Sequence, residues 1–220
     1  MSATDSLSTA LVYQSVNKAV FDAVPFSATR ILDVGCGGGD FGGRLKMKNE
    51  CHVTGITFSH HEAALAAQRL DAVITMDLNQ PDLESLGKFD CIVCSHVLEH
   101  LCCPEHLLRA LLESSVHKDT TLIVALPNVL FYKQRLQFLC GRFRYTVGGI
   151  MDQTHYRFYD WTSAAQLIEN AGFQLIKRQS DGIFPFSRLL GPLRMKMDQL
   201  ALRLFPGLFG AQFIFVARRR

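Results

Sequence analysis

Residues 31–45 read ILDVGCGGGDFGGRL. An apolar run ends at Asp33, and Gly35, Gly37, Gly38 and Gly39 follow at once. Such a run is a buried strand that stops where something must come close to the backbone. Phe41–Met47 then reads as a short helix, with Gly42 and Gly43 allowing it to pack tightly on the sheet. Gly35, Gly37 and Gly39 run as G-x-G-x-G, and Asp40 stands where a dinucleotide fingerprint has its third glycine. A carboxylate there would repel a pyrophosphate, and no P-loop lysine follows. Asp33 instead favours a ligand with positive charge or amine donors, such as a sulfonium with an α-amino group.

Outward from this unit, strands and helices alternate. An amphipathic helix is expected from about Ser6 to Val24, with Leu11, Val12, Val16, Val20 and Phe21 on one side. Strands are expected at 52–57, 72–77, 89–95, 121–127, 173–179 and 212–218. Helices are expected at 59–70, after Pro104, at 130–143 and at 161–171. Ser59 and Glu62 have the spacing of a capping box, Asp160 can cap the last helix and Gly172 ends it. The alternation implies an α/β fold with a mostly parallel sheet covered on both faces. Ligands of such sheets bind beyond the carboxyl ends of the strands, here Gly35, Thr57, Asp77, Ser95 and Pro127.

The bulk numbers fit one domain spanning 1–220. The chain has 220 residues, 48% hydrophobic and 20% charged, enough for one large core. A net charge of +3, part of it from Arg218, Arg219 and Arg220, does not point to nucleic acid. The opening MSATDSLSTA has no apolar core, so no signal peptide is expected, and Pro127 interrupts the longest apolar run. The seven cysteines are read as reduced thiols of a cytoplasmic protein. Cys91 and Cys94 lie three apart on a strand, on opposite faces, which suits neither zinc nor a redox pair.

The ordered set of motifs resembles the class I S-adenosylmethionine-dependent methyltransferases. LDVGCGGG resembles that family's first motif, MDLNQ its third-strand motif and FDCIVCSHVLEHL its fourth-strand motif. LPNV, DQTHYRFYD and AGF resemble the later part of the small-molecule and glycan-linked branch. The resemblance implies a Rossmann-like, seven-stranded sheet with its last strand antiparallel, and S-adenosylmethionine as cofactor. It implies that Asp33, Gly35, Cys36 and Gly37 wrap the methionine portion and that Asp77, followed by Leu78, receives the adenine amino group. Ser95 and His96 would flank the cofactor. Thr57 departs from the pattern: the family commonly has an acid there for the two ribose hydroxyls. One hydroxyl in place of a charged, bidentate acceptor costs about 1–2 kcal/mol of binding.

Methyl transfer to a hydroxyl needs positioning and a base. His155, in the connection after the fifth strand, is the candidate, with Asp152, Arg157 and Tyr159 to orient it or bind an acceptor. The alternative is that His155 and Arg157 only pin the loop. His96, Glu99 and His100 share one face of a turn and are metal-ligand types. They are similar to the Glu-x-x-Glu-His turn of plant small-RNA 3′-end methyltransferases and ubiquinone O-methyltransferases, where a later loop residue, here His155, completes the set. His96 replaces the first Glu of that pattern, so no metal is expected.

An extra helical insertion is expected at 183–209. Leu189, Leu190, Leu193, Met197, Leu200 and Leu204 form its stripe, fringed by Arg188, Arg194, Lys196 and Arg203. The stripe is read as packing on the sheet or on a twin subunit rather than as a peripheral membrane contact through 188–204. The main functional reading is an O-methyltransferase for a small-molecule or glycan-type acceptor. A weakly active cofactor-binding partner subunit and a metal-dependent RNA methyltransferase are the alternatives.

Overall fold

The structure, a computed structural model, describes residues 16–185 and 191–220. Seven strands form one sheet: β1 (Arg30–Val34), β2 (His52–Thr57), β3 (Ala72–Thr75), β4 (Phe89–Ser95), β5 (Val116–Pro127), β6 (Phe173–Gly182) and β7 (Gly210–Arg219). The order is β3-β2-β1-β4-β5-β7-β6. The strands from β1 to β5 pair in parallel, and β7 runs antiparallel to both β5 and β6. The expected α/β sheet with one reversed last strand is therefore present.

The helices are α1 (Lys18–Ala23), α2 (Asp40–Lys48), α3 (His60–Ala66), α4 (Pro104–Ser114), α5 (Tyr132–Leu139), α6 (Trp161–Asn170), α7 (Arg194–Leu204) and α8 (Pro206–Phe209). Two apolar layers cover the sheet. One joins Leu32, Ile92, Cys94 and Phe215 to Leu107 and Leu111 of α4 and Ile168 of α6. The other joins Ile31, Cys91 and Ile123 to Val20 of α1, Leu45 of α2 and Ala66 of α3. Cys91 and Cys94 thus face opposite layers, and burial pushes both thiols well above the ordinary cysteine range. Phe89, Phe173, Phe213 and Phe215 are fully buried, each a gain of about 2–3 kcal/mol.

Several boundaries differ from the sequence reading. The N-terminal helix does not run unbroken to Val24: Val16 and Asn17 are not helical, and Asn17 caps α1 by accepting from the Val20 amide at 3.4 Å. Leu11 and Val12 lie outside the described residues. Strand β5 starts five residues early, at Val116, because Thr120 carries its polar lead-in. The Thr120 hydroxyl donates to the Phe89 carbonyl at 2.6 Å and receives the His117 amide at 2.8 Å. Helix α5 ends at Leu139, two residues before Gly141, which turns the chain at φ +67°. Asp160 caps α6 with a full capping box through Ser163.

Of the insertion expected at 183–209, residues 191–204 and Pro206–Phe209 are helical, while 183–185 and Phe205 are not. Leu189, Leu190 and Arg188 lie outside the described residues. In α7 only Ala201 is buried, while Leu193 before it and Leu200 and Leu204 on it are exposed. The Ser180 hydroxyl on β6 reaches the Leu202 carbonyl at 3.4 Å. Among the described residues no helix is long and apolar enough to cross a membrane.

Candidate active site

The carboxyl ends of β1, β2 and β4 lie side by side, with Val34 level with Ile56 on one side and Cys94 on the other. At this edge Gly35 and Cys36 both donate backbone N–H to the Ile56 carbonyl, at 2.8 and 2.9 Å. Gly35 has φ +79°, and a Cβ there would meet Val97 at 2.8 Å. Gly37 has φ +51° and faces open space. The turn is therefore closed toward the protein at Gly35 and bare toward solvent at Gly37, which suits a ligand lying against the backbone. Gly42 is different: its missing Cβ would strike Leu70 and Val53 at 2.6 and 2.8 Å, so it serves helix packing.

Asp33 is buried at the end of β1, and its Oδ2 has no hydrogen-bond partner among the described residues. Burial raises its pKa to about 7. An orphaned acid beside the glycine turn fits a cationic or amine-bearing ligand. Thr57 is buried at the end of β2 and donates its hydroxyl to Glu62 of α3 at 2.7 Å. Asp77 is exposed past β3. Its Oδ1 receives the backbone and side-chain N–H groups of Asn79, at 2.9 and 3.2 Å, and Leu78 beside it is buried.

Ser95 ends β4, and His96 follows with φ +54°, an unusual value for a residue with a side chain. Its Nδ1 lies 3.1 Å from Glu99 Oε1, and its Nε2 lies 2.8 Å from Gln212 Oε1 of β7. Both partners can accept from the ring, and Asn17 Nδ2 also lies 3.5 Å from Nε2. Burial alone would lower the His96 pKa, but the bond and charge of Glu99, with Gln212, raise it above the ordinary value.

Glu99 sits on the 3-10 turn Leu98–His100, fully buried, and its Oε2 has no partner among the described residues. The loop after β5 is tied to this turn: the Tyr156 and Arg157 amides donate to the Glu99 carbonyl at 2.9 and 3.1 Å. Ligand atoms of Glu99, His100 and His155 all lie within 4.8 Å of one another. The His100 and His155 rings meet edge to face at 4.7 Å. His100 Nδ1 lies 3.2 Å from the Thr154 carbonyl and His155 Nδ1 lies 3.2 Å from the Ile150 carbonyl. A carbonyl can only accept, so both rings hold their proton on Nδ1 and keep Nε2 free. Burial lowers the His155 pKa, against the charge of Glu99.

The expected neighbours of His155 divide. Arg157 donates to the Cys102 carbonyl at 3.2 and 2.8 Å and pins the loop. Asp152 is buried, which alone would raise its pKa, but hydrogen bonds from Thr154 at 2.8 and 2.7 Å hold it below the usual carboxylate range. Tyr159 is buried in the core. Trp161 packs on Phe213 at 5.2 Å between ring centres, a structural part as expected. The sequence reading missed Gln212 and Asn17, which meet at 2.6 Å and close the network around His96. They lie 195 positions apart, and no local pattern marks such a pair.

Residues 10–178 match the model of a family described as a methyltransferase domain. A ubiquinone biosynthesis O-methyltransferase from Marinobacter nauticus is 32% identical over 99 residues, which cover 40% of this chain and 40% of that protein. The chain thus spans about two fifths of the curated relative it matches. A SAM-dependent methyltransferase from Archaeoglobus fulgidus superposes with a TM-score of 0.62 at 17% identity, covering 97% of this chain and 94% of that one. One from Mesorhizobium loti gives 0.62 at 17% identity, covering 92% and 96%. At such identities these structures speak to the fold alone.

Proposed function

The chain belongs to the methyltransferase-domain family, the class I S-adenosylmethionine-dependent methyltransferases, and on that premise we propose that it methylates a hydroxyl of a small-molecule or glycan-type acceptor. The similarity to an O-methyltransferase supports the choice of oxygen. The observation that carries the reading is His155, a neutral imidazole with a free Nε2, set next to the cofactor edge through Glu99 and His96.

S-Adenosylmethionine, when bound, would supply an activated methyl group to the acceptor oxygen and would be released as S-adenosylhomocysteine. The hydroxyl proton passes to His155 Nε2. The donor is already activated, so the remaining work is alignment. In this reading the turn at Gly35, Cys36 and Gly37 receives the methionine portion, with Asp33 ionising beneath the ligand's positive charge. Asp77 receives the adenine amino group through its free Oδ2, with Leu78 under the ring. Ser95 and His96 flank the donor. Arg157 holds the loop rather than the acceptor.

A second reading is favoured by one observation. Buried Glu99, whose Oε2 has no partner among the described residues, offers a ligand atom within 4.8 Å of one from each of His100 and His155. That donor set fits a divalent cation held by Glu99, His100 and His155. Such an ion would lower the pKa of a bound hydroxyl. His96, engaged with Glu99 and Gln212, stays outside the set.

The test is transfer of labelled methyl from S-adenosylmethionine across a panel of phenols, sugars and small alcohols, beside a panel of amines. Methylated hydroxyl products support the reading. Methylation of amines alone overturns the oxygen assignment. Calorimetry that finds NAD binding, and neither S-adenosylmethionine nor S-adenosylhomocysteine, overturns the cofactor.

A further inference from the structure

Gln212 is a half-buried residue of β7 whose side-chain amide uses every hydrogen-bonding position it has. Its Nε2 donates to Asp181 Oδ2 at 2.9 Å and to Asn17 Oδ1 at 3.3 Å. Its Oε1 receives Asn17 Nδ2 at 2.6 Å and lies 2.8 Å from His96 Nε2. The neighbours fix which end of the amide is which. Asp181 stands opposite Gln212 in the β6–β7 ladder, and a carboxylate can only accept. Asn17 Oδ1 is turned by the Val20 amide that it caps, at 3.4 Å. The Gln212 oxygen is therefore presented to His96. The ring, held at Nε2, turns its Nδ1 to Glu99 Oε1 at 3.1 Å. The backbone under that ring has φ +54°, and its amide donates to the Ala125 carbonyl of β5 at 3.0 Å.

We propose that Gln212 is a positioning residue for methyl transfer: it acts through His96, keeping that residue in its left-handed conformation at the edge that meets the donor, with Asp181 and Asn17 setting the orientation of the amide. The proposal rests on the reading that His96 flanks S-adenosylmethionine. A left-handed backbone costs a residue with a Cβ free energy that it does not cost glycine. At His96 the ring contacts offset that cost, one from the last strand and one from the turn itself. Without the Gln212 oxygen the ring is tethered to Glu99 alone, and the donor edge is free to relax into an ordinary backbone conformation. The same geometry accounts for the residue type. An acid at this position would repel Asp181, and an apolar side chain would leave His96 Nε2 without this partner.

The experiment is calorimetric titration of S-adenosylhomocysteine, with a melting curve for each protein. The proteins are the wild-type chain, Gln212→Leu, Gln212→Glu, Gln212→Glu combined with Asp181→Asn, His96→Gly, and His96→Gly combined with Gln212→Leu. Gln212→Leu should weaken the ligand by about 3- to 10-fold, the weight of one hydrogen bond. In Gln212→Glu two carboxylates face each other, and affinity should fall as well. Adding Asp181→Asn exchanges donor and acceptor across the ladder, so this pair should recover most of the lost affinity. Glycine adopts a positive φ freely, so in the His96→Gly chain Gln212→Leu should change nothing. Unchanged affinity in Gln212→Leu overturns the proposal. So does a loss of equal size in the His96→Gly background, which would make Gln212 a part of the fold alone. An exchanged pair that binds no tighter than Gln212→Glu overturns it too. A wild-type chain that does not bind S-adenosylhomocysteine overturns the proposal together with the cofactor reading. If Gln212→Leu does not fold, the comparison of Gln212→Glu with the exchanged pair decides.

Discussion

His96 and Glu99 meet at 3.1 Å across a single turn, one at the edge that would hold the donor and the other in the centre that would meet the acceptor. His96 adopts φ +54° to do so, at a cost of about 1 kcal/mol or more for a side-chain-bearing residue. Its two ring hydrogen bonds hold that backbone in place. The Glu99 carboxyl that His96 meets is fully buried, and the contact links the two half-sites.

His155→Ala tests proton removal. The variant should bind S-adenosylhomocysteine nearly as the wild type does, with turnover slower by about 10²–10⁴-fold. The histidine must be neutral to act, and its pKa is lowered by burial. Wild-type rates should therefore fall with acid along a limb centred below the ordinary histidine value of about 6.5. That limb should vanish in the variant. A retained limb with a lower melting temperature makes His155 a loop pin.

Divalent cations test the second reading. Manganese or zinc added to EDTA-treated protein should raise its melting temperature by about 5 °C at saturating concentration. Glu99→Gln, nearly isosteric, should lose that shift. Methyl transfer that persists in EDTA assigns proton removal to His155 alone.

Asp77→Ala should weaken cofactor binding by about 1–3 kcal/mol, the loss of one charge-assisted hydrogen bond. Asp77 is exposed and its partners are local, so the melting temperature should move little. Unchanged affinity by calorimetry leaves Asp77 as the organiser of the Asn79 turn, which itself receives the Cys102 amide at 2.9 Å.

Asp33 predicts a pH dependence of stability. Burial raises its folded pKa to about 7, far above the ordinary carboxylate range, so the native chain holds a proton that the unfolded chain releases. Stability of the ligand-free protein should then fall as pH rises from about 4 to about 7. Asp33→Asn should remove this fall and raise the melting temperature at pH 8 by on the order of 5 °C. It should also weaken the donor, whose positive charge Asp33 would face. Parallel melting curves for both proteins across that range would contradict the assignment.

Much of the fold was legible because it rests on short-range signals. Apolar runs bounded by glycine or an acid placed β1, β2 and β4 within a residue, and the Asp160 and Ser59 caps were visible as local spacings. The start of β5 was not, because Thr120 satisfies Phe89, 31 positions away. The residues of the candidate site were mostly named in advance, yet their pairings were hidden. Glu62 was read as half of a capping box, whereas its carboxylate turns to Thr57. Gln212 carries no motif and matters only because β7 runs back beside β5 and brings it to His96. Sequence spacing announces which groups face one way along an element. It does not announce which distant strand will complete their hydrogen bonds.

The cysteines on β4 give the chain a built-in pair of reporters. Cys91 is sealed under the α1–α3 layer and Cys94 under the α4–α6 layer, each fully buried, while Cys102, Cys103 and Cys140 are exposed. A thiol reagent can reach the first two only when the covering layer lifts. Timed alkylation of the unmodified protein, read by peptide mass, therefore clocks the two sides of the sheet separately. Equal rates mean that the molecule opens as one cooperative unit. Unequal rates reveal which coat of helices comes away first, and a bound donor should slow the side that carries the glycine turn.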